Sequence, residues 1–153
     1  MNKKLLILLT VALALASCNR KTIYSHYEHT PLDGWEKNDT LVFSVPPVKY
    51  DGVYREMIGL RTSSAYPFMG LTLVVEQEVW PSGLTRSDTL WCRLVDSDGN
   101  IQGEGISNFQ YNFQLLNLRL NSSDSLRVTV RHNMKREILP GISDIGLTLT
   151  KKD

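Results

Sequence analysis

Apolar and polar side chains alternate with a period of two along most of the chain after residue 36. In the clearest run, Leu126 to Met134, one face is largely apolar and the other carries arginine, threonine and asparagine. Successive side chains of a strand point to opposite faces, so this pattern predicts half-buried β-strands, and helical spacing fits it poorly. The predicted strands are 41–45, 53–61, 71–76, 90–96, 109–115, 126–134 and 145–149, with 118–120 as a short eighth.

Turn-forming residues separate these runs. They are Pro46-Pro47, Asp51-Gly52, Pro81-Ser82-Gly83, Asp98-Gly99-Asn100, Asn121-Ser122-Ser123-Asp124 and Pro140-Gly141. Asp98-Gly99 is a strong hairpin signal. No amphipathic run of helical length interrupts the pattern, so we expect an all-β domain over 36–153. About eight one-sided strands favour an antiparallel two-sheet β-sandwich of jelly-roll type.

The first 18 residues have the features of a bacterial lipoprotein signal. Lys3 and Lys4 precede the apolar run 5–16, which is too short for a stable membrane span, and Leu15-Ala16-Ser17 leads to Cys18. A cysteine at the cleavage site predicts removal of residues 1–17 and attachment of lipid to Cys18. Several acyl chains anchor a protein firmly, because each buried methylene contributes about 0.8 kcal/mol. Residues 18–35 are then expected to be the lipidated N-terminus and a tether.

Composition narrows the classes of function. Cleavage would leave 136 of the 153 residues, which is the size of one domain. The full chain has 17 basic and 16 acidic residues, and cleavage removes two of the basic ones. Phosphate neutralisation needs concentrated lysine and arginine, and no basic stripe is present, so nucleic-acid binding is excluded.

The cysteines and histidines do not predict a metal site or a cofactor. Since lipid takes Cys18, Cys92 has no partner in the chain. It shares a strand face with Leu90 and Leu94 and is expected to be buried. His26 and His29 lie three residues apart without a third ligand or a helix, so they fit zinc poorly. His132 lies on the apolar face of its strand and is expected to be a core residue.

Catalytic patterns are also missing from the sequence. A Gly-x-Ser-x-Gly motif is absent, and Cys92 has no nearby histidine or asparagine pattern. Glu76 and Glu78 share a strand face, as solvated sheet residues often do, and a calcium loop starting at Asp96 lacks its closing glutamate. We therefore expect a protein that is not an enzyme.

Aromatic side chains are the remaining candidates for a binding surface. Six of them are candidates for exposure: Trp35, Tyr50, Tyr54, Tyr66, Trp80 and Trp91. Such side chains stack on sugars or anchor protein partners, although a sandwich of this size also uses aromatics in its core. The proposed surface comprises Trp91, Trp80, Tyr66 and Phe68, with Trp91 opposite the apolar face of its strand.

Several short stretches follow one another in a recognisable order. They are Leu15 to Cys18, Trp35 with 38–43, Arg61 with Tyr66-Pro67-Phe68, Asp88-Thr89-Leu90 with Asp98-Gly99 and Gly103-Glu104-Gly105, and Arg136 with 139–147. Together they span nearly the whole mature chain and resemble the gliding-motility lipoprotein H (GldH) family of Bacteroidota. The resemblance implies a periplasmic outer-membrane lipoprotein that accompanies the gliding machinery and the associated type IX secretion system, with no established catalytic activity or cofactor.

The last of these stretches also has a structural interpretation. Pro140 and Gly141 predict a tight turn, which Asp144 can cap, and the apolar residues up to Leu147, around Gly146, are expected to enter the core. Arg136 is expected to pair with Asp144 across this turn.

Two classes of function remain from sequence. Asn19 after the lipidated cysteine lacks the aspartate associated with inner-membrane retention, and 19–22 is polar and basic, which favours a periplasmic domain on the outer membrane. The leading hypothesis is a noncatalytic interaction module that binds envelope proteins of a motility or secretion complex. The alternative is a glycan-binding lipoprotein that stacks sugars on Trp91 or Trp80.

Overall fold

The computed structural model of the chain describes residues 21–153. The predicted signal peptide and Cys18 lie outside the described residues. Ten strands form the described part: β1 Thr22–His29, β2 Trp35–Glu36, β3 Leu41–Val45, β4 Gly52–Ser63, β5 Gly70–Trp80, β6 Leu84–Arg93, β7 Asn108–Leu120, β8 Ser125–His132, β9 Ile138–Leu139 and β10 Ile142–Lys151. The described residues, 21–153, contain no helix that could span a bilayer.

The eight long strands form two four-stranded antiparallel sheets. Sheet I has the order β1-β10-β4-β7, and sheet II has the order β3-β8-β5-β6. The short strands β2 and β9 pair with each other at one end. Numbering the long strands one to eight along the chain gives 1-8-3-6 and 2-7-4-5, which is jelly-roll topology. The predicted all-β sandwich is therefore confirmed.

The alternation of the sequence explains which faces meet. In β3 and β8, every second residue is buried, and Phe43 lies directly across from Val128. In sheet I, Ile58 pairs with Leu147, and both side chains are fully buried. One continuous apolar core fills the space between the sheets. Fully burying a side chain of this kind contributes about 1.5–3 kcal/mol.

The predicted tether is wrong from residue 22 onward. Residues 22–29 form β1, which pairs with β10 along its whole length and forms one edge of sheet I. Most of its side chains are exposed or half-buried, so the segment lacks the apolar alternation from which a strand is recognised. Trp35 is fully buried and pairs with Leu139. The folded domain therefore begins near residue 22, not residue 36.

Other predicted strand boundaries also differ from the structure. Residues 118–120 are the end of β7 rather than a separate strand, and the register of β7 against β4 shifts between Glu56 and Met57. β6 begins at Leu84, six residues before the predicted start. The sequence did not indicate this first part of the strand because its residues are exposed and lack the apolar alternation of a half-buried strand. The hairpin predicted at Asp98-Gly99 is present and is closed by an antiparallel bridge between Val95 and Ile101.

Candidate functional site

A cluster of side chains lies on the outer face of sheet I and connects all four of its strands. The sheet register places Tyr27 of β1 beside Gly146 of β10, and Gly146 beside Gly59 of β4. Two residues after Gly59 on β4, Arg61 lies beside Gln110 of β7. We call these five residues the Tyr27 face.

The two glycines make room for the tyrosine ring. A Cβ atom on Gly146 would lie 2.6 Å from Cε1 of Tyr27, and one on Gly59 would lie 2.9 Å from its Cζ. Real Cβ atoms do not approach other atoms so closely, so any larger residue would displace the ring. Glycine in a strand interior weakens it, and its presence marks a close approach by another group. Here that group is the Tyr27 ring.

Polar groups fix the ring from above and from the side. The Arg61 guanidinium carbon lies 3.8 Å from the Tyr27 ring centroid, which is cation–π geometry. Gln110 donates from Nε2 to the Tyr27 hydroxyl oxygen at 2.8 Å and accepts at Oε1 from Arg61 Nε at 2.9 Å. The arrangement holds the exposed Arg61 guanidinium in a defined orientation on the outer face of sheet I.

Asp144 extends this row toward the sheet edge. It lies beside Arg61 in the register, and its carboxylate contacts His29 Nδ1 of β1. The predicted pair between Arg136 and Asp144 is wrong: Arg136 is exposed, and among residues 21–153 it forms no salt bridge. The reason is that β1, which the sequence did not reveal as a strand, places His29 directly beside Asp144.

The turn predicted at Pro140-Gly141 is confirmed. Gly141 has a φ of +80°, and a Cβ atom there would lie 2.7 Å from the backbone carbonyl carbon of Ala65. A side chain at this position is excluded by conformation and by space. Ile142 and Ile145 that follow are buried, as expected.

Trp91 and Trp80 are exposed but do not form one platform. Their side chains are 63% and 54% exposed, and both lie on the outer face of sheet II. Trp91 pairs with Thr72, eight residues before Trp80 on β5, so the two indoles are separated by about 27 Å at about 3.4 Å per residue. The indole of Trp91 lies against Gly70, where a Cβ atom would approach Cζ2 within 3.2 Å.

Tyr66 and Phe68 lie in the loop between β4 and β5 and pack at one end of the core. Their rings are half-buried and meet edge to face at 5.6 Å. The Tyr66 hydroxyl donates to the Gly70 carbonyl at 2.8 Å, and burial raises the pKa of this phenol. Tyr66 therefore contacts Phe68 and Gly70, Trp91 contacts the same glycine from the outer face of sheet II, and Trp80 lies apart near the other end of β5. Tyr54 and Trp35, two candidates for exposure, are core residues instead.

A polar pair lies inside the sandwich. Glu56 of β4 is fully buried, and Gln77 of β5 donates to its Oε2 from Nε2 at 3.0 Å. Burial raises the pKa of Glu56 to about 7; the Gln77 hydrogen bond and Arg86 lower it, and Asp88 raises it further. The other side-chain oxygens of Glu56 and Gln77 have no hydrogen-bond partner among the described residues.

The remaining candidates have structural surroundings. Cys92 is fully buried, and burial raises the pKa of its thiol to about 12, so the thiolate that reacts or binds metal is suppressed. His132 is buried, with Nε2 3.0 Å from the Trp35 carbonyl and its ring edge to face with the indole. Burial lowers the pKa of His132. Within 21–153, no group of three or more ligating side chains could hold a metal.

Sequence reasoning included Gly146 in a structural motif but did not predict the Tyr27 face. Its signal was weak: Gly59 and Gly146 each interrupt a strand without a turn, and such glycines indicate a bulge or a close approach. What the sequence could not show is that β1 exists, and therefore which aromatic ring covers both glycines. The motifs that carry the family resemblance, one at Arg61 and one at 139–147, meet at this face.

Comparison with known proteins identifies a family and a relative of similar length. The model of the GldH lipoprotein family matches residues 22–149. Over 154 aligned residues, the chain is 28% identical to the gliding motility lipoprotein GldH of Flavobacterium johnsoniae, with 96% of each chain covered.

Solved structures are only distantly similar. A family GH115 4-O-methyl-alpha-glucuronidase with specificity for decorated arabinogalactans aligns with a TM-score of 0.48 and 13% identity, over 90% of this chain and 18% of that one. Eiger TNF from S. frugiperda aligns with a TM-score of 0.32 and 15% identity, over 88% of this chain and 95% of that one. Neither likeness bears on function.

Proposed function

We propose, because the chain belongs to the GldH lipoprotein family, that it is a noncatalytic interaction module of the gliding-motility machinery and the associated type IX secretion system. Lipid on Cys18 anchors it to the outer membrane, and the domain faces the periplasm. The family match over residues 22–149 carries this proposal. The Tyr27 face supports it, because the face presents a fixed cation and the surrounding residues supply no catalytic set.

The orientation rests on the residues after the cysteine. Asn19-Arg20-Lys21-Thr22 has neither an aspartate directly after Cys18 nor an acidic run. A domain on the inner side of the outer membrane is shielded from protease added to intact cells. Shaving should therefore leave the domain whole, and its digestion before the cells lyse would reject the orientation.

The Tyr27 face is the proposed contact surface. Arg61 is exposed, yet the Tyr27 ring and Gln110 hold its guanidinium in place, so little side-chain entropy is lost when it binds a partner. A partner that presents a carboxylate or a carbonyl oxygen fits this donor, since guanidinium groups bind such oxygens in a planar geometry. Arginine is also enriched among residues that dominate binding energy.

Crosslinking from membranes tests the proposed function. The full-length lipoprotein should capture envelope components of the motility or secretion machinery, and Arg61→Ala should reduce their recovery at least tenfold. Arg55→Ala is the matched control, since Arg55 is exposed on the same outer face of β4 and its loss removes the same charge. Repeated capture of no such component, or an equal loss in both variants, would reject the proposal.

Glycan binding is the second candidate, and the exposure of Trp91 favours it. A glycan array with the domain separates the two candidates. Saturable binding that Trp91→Ala abolishes and Trp80→Ala does not would support glycan recognition through a single indole. The first candidate predicts that neither substitution changes capture of envelope proteins.

A further inference from the structure

Strand β6 forms an open edge of sheet II. In the part of the chain that the structure describes, β6 pairs only with β5. The other three sheet edges differ from it: β1 and β3 contact each other along the closed side of the sandwich, and the ladder of β7 contains a register shift. β6 has ten residues and an uninterrupted register, with neither proline nor lysine, and its charged residues are Arg86, Asp88 and Arg93. An edge strand presents unpaired N–H and C=O groups that are a template for pairing with another strand. Charged side chains restrict this pairing, so an incoming strand must carry charges that complement them.

The backbone groups that are free on this edge can be identified. Asn133 donates to the Thr72 carbonyl, so even-numbered residues of β5 bond to β8 and odd-numbered residues bond to β6. Leu94 donates to the Met69 carbonyl in the same phase. The odd-numbered residues of β5 pair with the even-numbered residues of β6, so the odd-numbered residues of β6 direct their N–H and C=O groups away from the sheet. They are Thr85, Ser87, Thr89, Trp91 and Arg93, and all five are exposed.

The side chains of β6 are complementary to those of a second β6 that runs antiparallel to it. When the strands are paired with Ser87 opposite Ser87 of the second copy, Arg86 lies opposite Asp88 of the second copy, twice by symmetry. Within one chain these two residues already form a bidentate pair, with Nε–Oδ2 at 2.6 Å and Nη2–Oδ1 at 3.0 Å. The four charges then alternate in sign, and opposite charges across two strands are favourable.

The apolar residues of the edge match in the same register. Leu84, which is 64% exposed, lies opposite the half-buried Leu90 of the second copy. Trp91 lies opposite Gly83, around which a Cβ atom would find no neighbour within 4 Å, so the indole has space. The two most exposed apolar side chains of β6 thus both gain a partner.

We infer that β6 is a self-association edge, through which two copies join antiparallel about a two-fold axis at Ser87 and form one continuous eight-stranded sheet. A C2 interface of this type uses the same surface on both copies and requires self-complementarity, which the charge pattern supplies. This contact lies on sheet II, on the opposite side of the sandwich from the Tyr27 face, so both can be occupied together.

Cysteine crosslinking of the full-length lipoprotein in its own membranes tests the register. Directly paired residues that share hydrogen bonds have Cα atoms about 5.5 Å apart, within the range of a disulfide. Ser87→Cys should therefore form a disulfide-linked dimer under mild oxidation. Thr85→Cys and Thr89→Cys should not do so singly, because their own copies are about 13 Å apart, whereas the double variant should. Cys92 is buried and does not interfere.

Charge reversal supplies the matched control. In the Ser87→Cys background, Asp88→Arg places like charges opposite each other and should lower the dimer fraction several-fold, and adding Arg86→Asp should restore it. Absence of a Ser87→Cys dimer would overturn the inference. So would a dimer through Thr89→Cys alone, which indicates another register, or a Ser87→Cys product with a different protein, which indicates another occupant.

Discussion

Replacing Glu56 by glutamine should stabilise the domain above neutral pH. Glu56 is fully buried between the sheets, and its carboxylate receives one hydrogen bond, from Gln77. Burial disfavours the charged form, which is why its pKa rises from 4.5 to about 7. Glutamine has the same shape, carries no charge, and its amide can donate to the unpartnered Oε1 of Gln77.

The magnitude follows from the two pKa values. Because the folded-state pKa is the higher one, folding is unpenalised below about pH 4.5, and stability is lost as pH rises through about 7. One pKa unit corresponds to about 1.4 kcal/mol, so the full penalty at high pH is about 3 kcal/mol. Between pH 5 and pH 8, the native chain should lose about 2 to 3 kcal/mol through this group, and Glu56→Gln should not.

Urea unfolding of residues 19–153 at pH 5 and pH 8 measures this difference. The fluorescence of Trp35, which is fully buried, reports the transition. Glu76→Gln is the control, because it removes the same charge from the exposed outer face of β5, and its stability should follow that of the native sequence at both pH values. If Glu56→Gln and the native sequence respond equally to pH, Glu56 is not a buried acid with a raised pKa.

Three further predictions concern packing. Gly146→Ala should lower the free energy of unfolding by about 1–3 kcal/mol through its clash with the Tyr27 ring, and less in a Tyr27→Ala background; equal losses in this double-mutant cycle would contradict the contact. Gly141→Ala should cost about 1–3 kcal/mol because φ is +80°, and an unchanged urea midpoint would argue against that backbone. Cys92 should resist a thiol reagent at pH 8 until urea unfolds the chain; rapid labelling of the folded protein would refute its burial.

The alternation of apolar and polar residues predicted the strands that have one solvent-exposed face and one buried face. Strand β8 and the buried Cys92 followed from the sequence because their neighbours at i±2 are apolar. Jelly-roll topology followed from the number of such strands and from the short turns between them. In these segments the local pattern and the tertiary environment agree.

Residues whose environment depends on distant pairing were predicted less well. β1 forms a sheet edge with few buried side chains, so its sequence resembles a tether. The sequence made Trp35 a candidate for exposure, but in the fold it pairs with β9 and packs against His132. Asp144 pairs with His29 rather than Arg136 because β1 is the neighbour of β10. The alternation of apolar and polar residues within one segment does not show which distant strand lies beside it.

The anchor at Cys18 is the premise on which the proposed location and partners depend. Mass spectrometry of the N-terminal peptide, taken from protein purified out of the envelope, tests it directly. We predict a peptide that begins at Cys18 and carries the added mass of a diacylglycerol group. A peptide that begins at Met1 and contains an unmodified cysteine would contradict the account.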